Sequence, residues 1–270
     1  MTQKIICLLL ATILSIPTFP QAIFSHPWKG RKVAFLGESI TDPRNNGSKK
    51  KYWNYLQEWL NITPLVYGRS GWQWNGMTTQ ADSLFSQHGN DFDAIIIFCG
   101  TNDFNDAVPI GSWFEEHPDT VLSAKHKPKA MVARIKRTPI YTDSTFCGRI
   151  NKALSHIKKM WPSKQIVLLT PLHRAFFYGS ETNIQPTEEY QNECGEYVDR
   201  YVECVKEAGN IWSVPVLDVN ATSGLYPVFD ENATYFHNKE TDRLHPNDLG
   251  HQRLARTLYY QLSTLPCIWE

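Results

Sequence analysis

Apolar residues along this chain fall into two spacings that take turns from the N-terminus onward. Five short runs are nearly continuous and rich in β-branched residues: Lys32–Leu36 (KVAFL), Leu65–Tyr67 (LVY), Ala94–Cys99 (AIIIFC), Gln165–Thr170 (QIVLLT) and Val214–Val219 (VPVLDV). Runs without polar alternation are those of parallel strands covered on both faces. Between them apolar positions recur every three or four residues, the spacing of one helix face. Tyr52, Tyr55, Leu56, Trp59 and Leu60 form one such set, and Ile150, Ala153, Leu154, Ile157 and Trp161 another. Cys194, Tyr197, Val198, Tyr201 and Val205 read as a third helix, and Leu254, Ala255, Leu258 and Leu262 as the last. Alternating strands and helices predict an α/β/α three-layer domain around a parallel sheet of about five strands.

Two segments stand outside this alternation. Residues 1–22 combine Lys4, an apolar stretch from Ile5 to Ile16, and the small or turn-forming residues Ser15, Pro17 and Ala22, which reads as a secretory signal peptide. The stretch is short for a spanning helix, which needs about 20 apolar residues. Residues 23–270 then form a single domain, exported to the periplasm or the outside of the cell. The second exception, about 104–143, follows the third strand and holds Pro109, Pro128 and Pro139. A connection this long has structure of its own or a function. Its basic residues Lys125, Lys127, Lys129, Arg134, Lys136 and Arg137 read as a solvated helix face, with a site for an acidic substrate group as the alternative.

Composition narrows the function. The 270 residues carry 27 Lys+Arg and 27 Asp+Glu, a balance that argues against bulk binding to nucleic acid or anionic membrane. Loss of the signal peptide removes Lys4 alone and leaves 26 basic against 27 acidic residues. Aromatic residues reach 13%, with 9 Trp, which suits a cleft for sugar rings or acyl groups as well as a core. After Cys7 is removed, Cys99, Cys147, Cys194, Cys204 and Cys267 remain, an odd number without a C-x-x-C pair. Cys99 reads as a buried small hydrophobe, and Cys194 and Cys204 share the third helix too far apart to bridge. No metal or cofactor is implied, and no G-x-G-x-x-G or Walker pattern follows a strand. The N-x-S/T sequons at Asn46, Asn61, Asn220 and Asn232 read as chance occurrences.

Ligands of a parallel α/β sheet bind beyond the carboxyl ends of its strands. There the chain places Gly37-Glu38-Ser39, Gly68-Arg69-Ser70-Gly71, Gly100-Thr101-Asn102-Asp103 and Pro171-Leu172-His173-Arg174. Asp242-Arg243-Leu244-His245 stands before the last helix. Ser39 is a candidate nucleophile, His245 the base that takes its proton, and Asp242 the carboxylate that orients the imidazole from the same turn. The backbone N–H groups of Ser39 and Gly71 and the Asn102 amide are candidate donors to an oxyanion. Each residue alone is an ordinary turn residue, and the pattern lies in their joint order.

These blocks resemble those of the SGNH hydrolases, the GDSL esterase/lipase superfamily, over nearly the whole mature chain. The resemblance implies a flavodoxin-like three-layer fold and a metal-free serine esterase, with Ser39, Gly71, Asn102 and His245 in the four signature roles. One departure stands out: Glu38 occupies the place of the family's usual Asp. The resemblance also suggests the substrate, because exported members often remove acetyl groups from polysaccharides. An acylated carbohydrate or small ester is therefore the expected partner, with Trp72, Trp74, Trp113, His173 and Arg174 as candidate substrate contacts. A lipase, lysophospholipase or thioesterase-type acyl hydrolase is the enzymatic alternative. A carbohydrate-binding protein on a decayed hydrolase scaffold is the non-enzymatic one. The sequence does not set the oligomeric state.

Overall fold

Strands that are apolar at every position need cover on both sides, and here they have it. The computed structural model describes residues 25–125, 128–267 and 269. The expected signal peptide, residues 1–22, lies outside them. In chain order the first half contains β1 (Lys32–Gly37), α1 (Tyr52–Leu60), β2 (Thr63–Val66), α2 (Met77–His88), β3 (Ala94–Phe98), α3 (Thr101–Asn105), β4 (Phe114–Ser123) and β5 (Ala130–Pro139). The second half contains α4 (Phe146–Met160), β6 (Gln165–Leu169), β7 (Phe177–Ser180), β8 (Asn183–Gln185), α5 (Val198–Trp212), β9 (Val216–Leu217), α6 (Val219–Thr222), β10 (Phe236–Asn238), β11 (Asp242–Pro246) and α7 (Asp248–Thr264).

Five strands form a parallel sheet in the order β2-β1-β3-β6-β9. Side chains alternate between its faces. Ala34, Leu36, Ile95, Ile97, Ile166 and Leu168 pack against α2, α4 and α5. Val33, Phe35, Ile96, Phe98, Val167 and Leu169 pack against α1 and α7. This is the expected three-layer α/β/α arrangement. The strand order reverses between β1 and β3, and the pairing of Gly37 with Phe98 sets the ends of those two strands level. The crevice beyond them is where such a sheet takes a ligand. A small antiparallel sheet, β10-β11-β7-β8, stands beside it. Among the described residues no helix is long and apolar enough to cross a membrane.

Two expectations change. The segment after β3 does not carry its basic residues on a helix. It forms a two-stranded hairpin, β4 paired with β5 over ten registered positions from Phe114↔Pro139 to Ser123↔Ala130. Arg134, Lys136 and Arg137 lie on β5, Lys129 precedes it, and Lys127 falls outside the described residues. Pro118 within β4 is tolerated because, among the described residues, no third strand meets the ribbon to need its missing N–H. Cys194 and Cys204 do not share a helix. Asn192 accepts hydrogen bonds from the N–H groups of Cys194 and Glu196 at 3.1 Å each, and Gly195 turns the chain with φ +79°, so α5 starts only at Val198. Cys204 instead lies buried on α5 with its sulfur 4.0 Å from that of Cys147 on α4.

Candidate active site

The nucleophile turn begins where β1 cannot carry a side chain. A Cβ on Gly37 would lie 2.4 Å from the Phe98 carbonyl oxygen and 2.8 Å from Thr41 Oγ1. The buried Gln80 side chain clamps this glycine, accepting from its N–H and donating to its carbonyl at 2.8 Å each. Thr41 and Asp42 N–H both donate to the Glu38 carbonyl, at 3.0 and 2.9 Å, which closes a tight turn around Ser39. Ser39 is 5% exposed, and its Oγ lies 2.9 Å from His245 Nε2. His245 Nδ1 lies 3.0 Å from Asp242 Oδ2 and 3.1 Å from Oδ1. Phe177 stands edge-on to the imidazole at 5.2 Å.

The sequence suggests a shared turn for Asp242 and His245, but both lie on strand β11, which pairs with β10 and β7. Residues three apart on a strand point to opposite faces. The Asp242 carboxylate overcomes this by folding back along its own chain. Its Oδ1 accepts from Leu244 N–H at 3.1 Å and His245 N–H at 2.9 Å before meeting the ring. Asn247 then caps α7, accepting from Leu249 and Gly250 N–H. The line Asp242–His245–Ser39 can move a proton from Ser39 Oγ to His245 Nε2 while the carboxylate holds the ring.

Two backbone N–H groups lie in the loops that border this line. Gly71 has φ +78° with open space where a Cβ would stand, so its backbone conformation alone calls for glycine. Neither Ser39 nor Gly71 N–H has an acceptor among the described residues. The loop holding Gly71 is tied to the nucleophile turn by Asp42, whose Oδ2 accepts from Ser70 N–H at 2.8 Å and Ser70 Oγ at 3.1 Å. Burial works to raise the Asp42 carboxyl, but Arg44 and Ser70 hold it down at about 2.

The third expected donor is engaged elsewhere. Asn102 Nδ2 donates to the Trp72 carbonyl at 3.0 Å and to Glu38 Oε2 at 3.1 Å, so both amide hydrogens have partners. The longer side chain of Glu38 brings its carboxyl to this amide. Burial first, and the Asp103 carboxylate second, push Glu38 up to about 8, against the Asn102 and Gly100 N–H groups and the Arg174 charge. Asp103 is itself raised to about 6, because burial outweighs its 2.9 Å ion pair with Arg149. Asp103 also accepts from Trp74 N–H at 3.1 Å and so joins the oxyanion loop to α3.

The candidate substrate contacts divide. Trp72 lies beside Gly71 at the edge of a cleft of about 330 Å³ that Gln73 and Thr79 also line, with Arg69 over its ring at 5.2 Å. Trp74 does not face a ligand: it is fully buried, and its indole N–H donates to the Cys99 carbonyl. Arg174 is also excluded from ligand contact. It is 1% exposed, donates to Thr101 and Gln185, and lies over Phe104. The place of Trp74 and Arg174 after strand ends suggests the cleft, yet both side chains turn into the core. Trp113 is partly buried at the hairpin base, with its indole on Glu207 at 2.7 Å. His173 is paired with Glu188 at 2.6 Å and meets Tyr226 edge-on. Asp42, Gln80 and Arg149 position the site, yet only Asp42 stands close to a motif in the sequence, and nothing there marks Gln80 or Arg149.

The GDSL-like lipase/acylhydrolase family pattern matches residues 35–253. The chain belongs to this family and is an SGNH-type serine ester hydrolase. Among solved structures it resembles a protein from Lactobacillus plantarum at 20% identity, covering 88% of this chain and 99% of that one, with TM-score 0.66. It also resembles a possible lipase from Chitinophaga pinensis at 22% identity, covering 86% and 97%, with TM-score 0.62. A third is an acetyl xylan esterase from Geobacillus stearothermophilus at 19% identity, covering 87% and 95%, with TM-score 0.50. None of the curated proteins matches the chain.

Proposed function

We propose that this chain is an exported carbohydrate O-acetylesterase working through a Ser39 acyl-enzyme. The observation that carries the chemistry is the continuous line from Ser39 Oγ through His245 to Asp242, at 2.9 and 3.0 Å. His245 takes the Ser39 proton as Oγ bonds to the ester carbonyl carbon. The resulting oxyanion is held by Ser39 and Gly71 N–H, and by Asn102 once its amide turns from Glu38. Collapse breaks the bond to the alcohol, which leaves with the proton from His245. Water, deprotonated by the same imidazole, then releases acetate and restores Ser39.

The sugar reading rests on Trp72, an aromatic ring beside an oxyanion donor, on open clefts of about 330 and 530 Å³ that border it, and on the acetyl xylan esterase among proteins of similar fold. Export rests on the sequence pattern of residues 1–22. The test compares p-nitrophenyl esters of increasing chain length and acetate release from acetylated glycans. Wild type should prefer acetate, and Ser39→Ala should abolish turnover. Full activity of Ser39→Ala would overturn the mechanism. Preference for octanoate would overturn the deacetylase reading while leaving the esterase intact.

A further inference from the structure

The β4–β5 hairpin is sorted into two unlike faces. One carries Glu115, His117, Asp119, Lys136 and Arg134, with Lys136 bonded to Asp119 at 3.0 Å and Thr138 to Glu115 at 3.3 Å, and is apolar only toward the turn, at Val121 and Val132. The other carries Pro118, Leu122, Met131, Ala133 and Ile135, with a single charged pair of neighbours, Glu116 and Arg137, nearer the base. Leu122, Met131 and Ile135 are 60, 63 and 65% exposed. No other strand pairs with the ribbon among the described residues. The arm is nonetheless firmly set at its root. The buried Asn151 amide donates to the Trp113 and Ile140 carbonyls at 2.7 and 3.0 Å, and Ile140 N–H donates to the Trp113 carbonyl.

A two-stranded ribbon with an uncovered apolar face is marginal in water and gains stability from a third layer. We propose that this layer is the same face of a second copy, so that the protein associates as a two-fold dimer through paired arms. Three observations favour self-association. The apolar residues run from the middle of the ribbon to its turn, whereas a lipid surface met by the tip would cover only the end. The edges are poor templates for strand addition, since Pro118 removes a donor from β4 and β5 carries Arg134, Lys136 and Arg137. The face is also self-complementary in charge. A two-fold axis running along the arms lays β4 of one copy over β5 of the other, so Glu116 of each copy meets Arg137 of the other. Ten-residue strands make a face about 33 Å long and about 10 Å wide. Two such faces with their side chains bury on the order of 1,000 Å², the lower end for a specific association.

Sedimentation velocity of the purified protein over a dilution series tests this. Wild type should show a reversible species of twice the monomer mass. Ile135→Lys should weaken it about 100-fold, because a charge would be buried in an apolar seam. Glu116→Arg and Arg137→Glu should each be monomeric alone, yet form a heterodimer when mixed, since each then offers the charge the other needs. Unchanged p-nitrophenyl acetate turnover per protomer shows that these variants are folded. A wild type that stays monomeric at all concentrations overturns the proposal, as does a dimer that Ile135→Lys leaves intact. Binding of monomeric protein to phosphatidylglycerol vesicles, lost in Ile135→Lys, would assign the face to lipid instead.

Discussion

At the scale of single residues, the informative position is Glu38. Its carboxyl is enclosed by Asn102 and Asp103 of α3, Gly100 at the end of β3, and Arg174 after β6. Because burial raises it to about 8, it is neutral at pH 7 and accepts the Asn102 amide weakly. Ionisation would make that hydrogen bond charge-assisted and place a negative charge beside the developing oxyanion. Both effects oppose acylation. Turnover of p-nitrophenyl acetate is therefore expected to fall as pH rises through about 8, and Glu38→Gln, which cannot ionise, should lose that alkaline decline while remaining active at pH 7. A wild-type profile that stays flat past pH 9, or one that Glu38→Gln leaves unchanged, would refute the coupling.

At the scale of elements, what the sequence shows depends on where the apolar surface goes. The sheet strands bury both faces, so their residues read as continuous runs, and α1, α4 and α7 bury one face, so theirs read with helical spacing. The hairpin buries neither face. Met131, Ala133 and Ile135 do alternate along β5, but Val132 between them, and Pro118 and Thr120 among the charged residues of β4, blur that short period. The site divides in the same way. Ser39, Gly71, Asn102 and His245 are legible because each needs a particular residue type at a strand end. Whether Trp72, Trp74 and Arg174 point outward or inward depends on loop geometry, which spacing does not encode. Asn151 shows how much one helix residue can carry. It holds the Trp113 and Ile140 carbonyls with its amide and accepts from the Trp212 indole at 2.9 Å. Asn151→Ala should cost about 1–3 kcal/mol by stranding these buried groups. Urea denaturation should register this loss while p-nitrophenyl acetate turnover of the folded fraction stays near wild type. A neutral effect would mean that the hairpin root is held by other contacts.

At the scale of the whole molecule, the buried acids set how stability responds to pH. Asp103 and Glu38 hold protons in the fold up to about 6 and about 8, while an unfolded chain releases them near 3.8 and 4.5. Within each window the folded state binds more protons than the unfolded one, so stability falls as pH rises and the contribution is lost above the folded value. Other groups act outside the upper part of this range. His251, buried against Tyr52 and Lys51, is held well below 6.5, so its contribution is present above 6.5 and fades only at lower pH. Burial lowers Lys51 to about 8, so its deprotonation in the fold favours stability only as pH climbs toward 10.5. Between pH 6.5 and about 8 the declining contributions are Glu38 and, in the same direction, His173, which Glu188 raises against the effect of burial. Urea midpoints measured across that interval should therefore fall for wild type. Glu38→Gln should remove the Glu38 share of the decline and leave the part due to His173. Parallel declines in the two proteins would show that Glu38 ionises in the fold as it does in the unfolded chain. The alkaline loss of activity would then need another source.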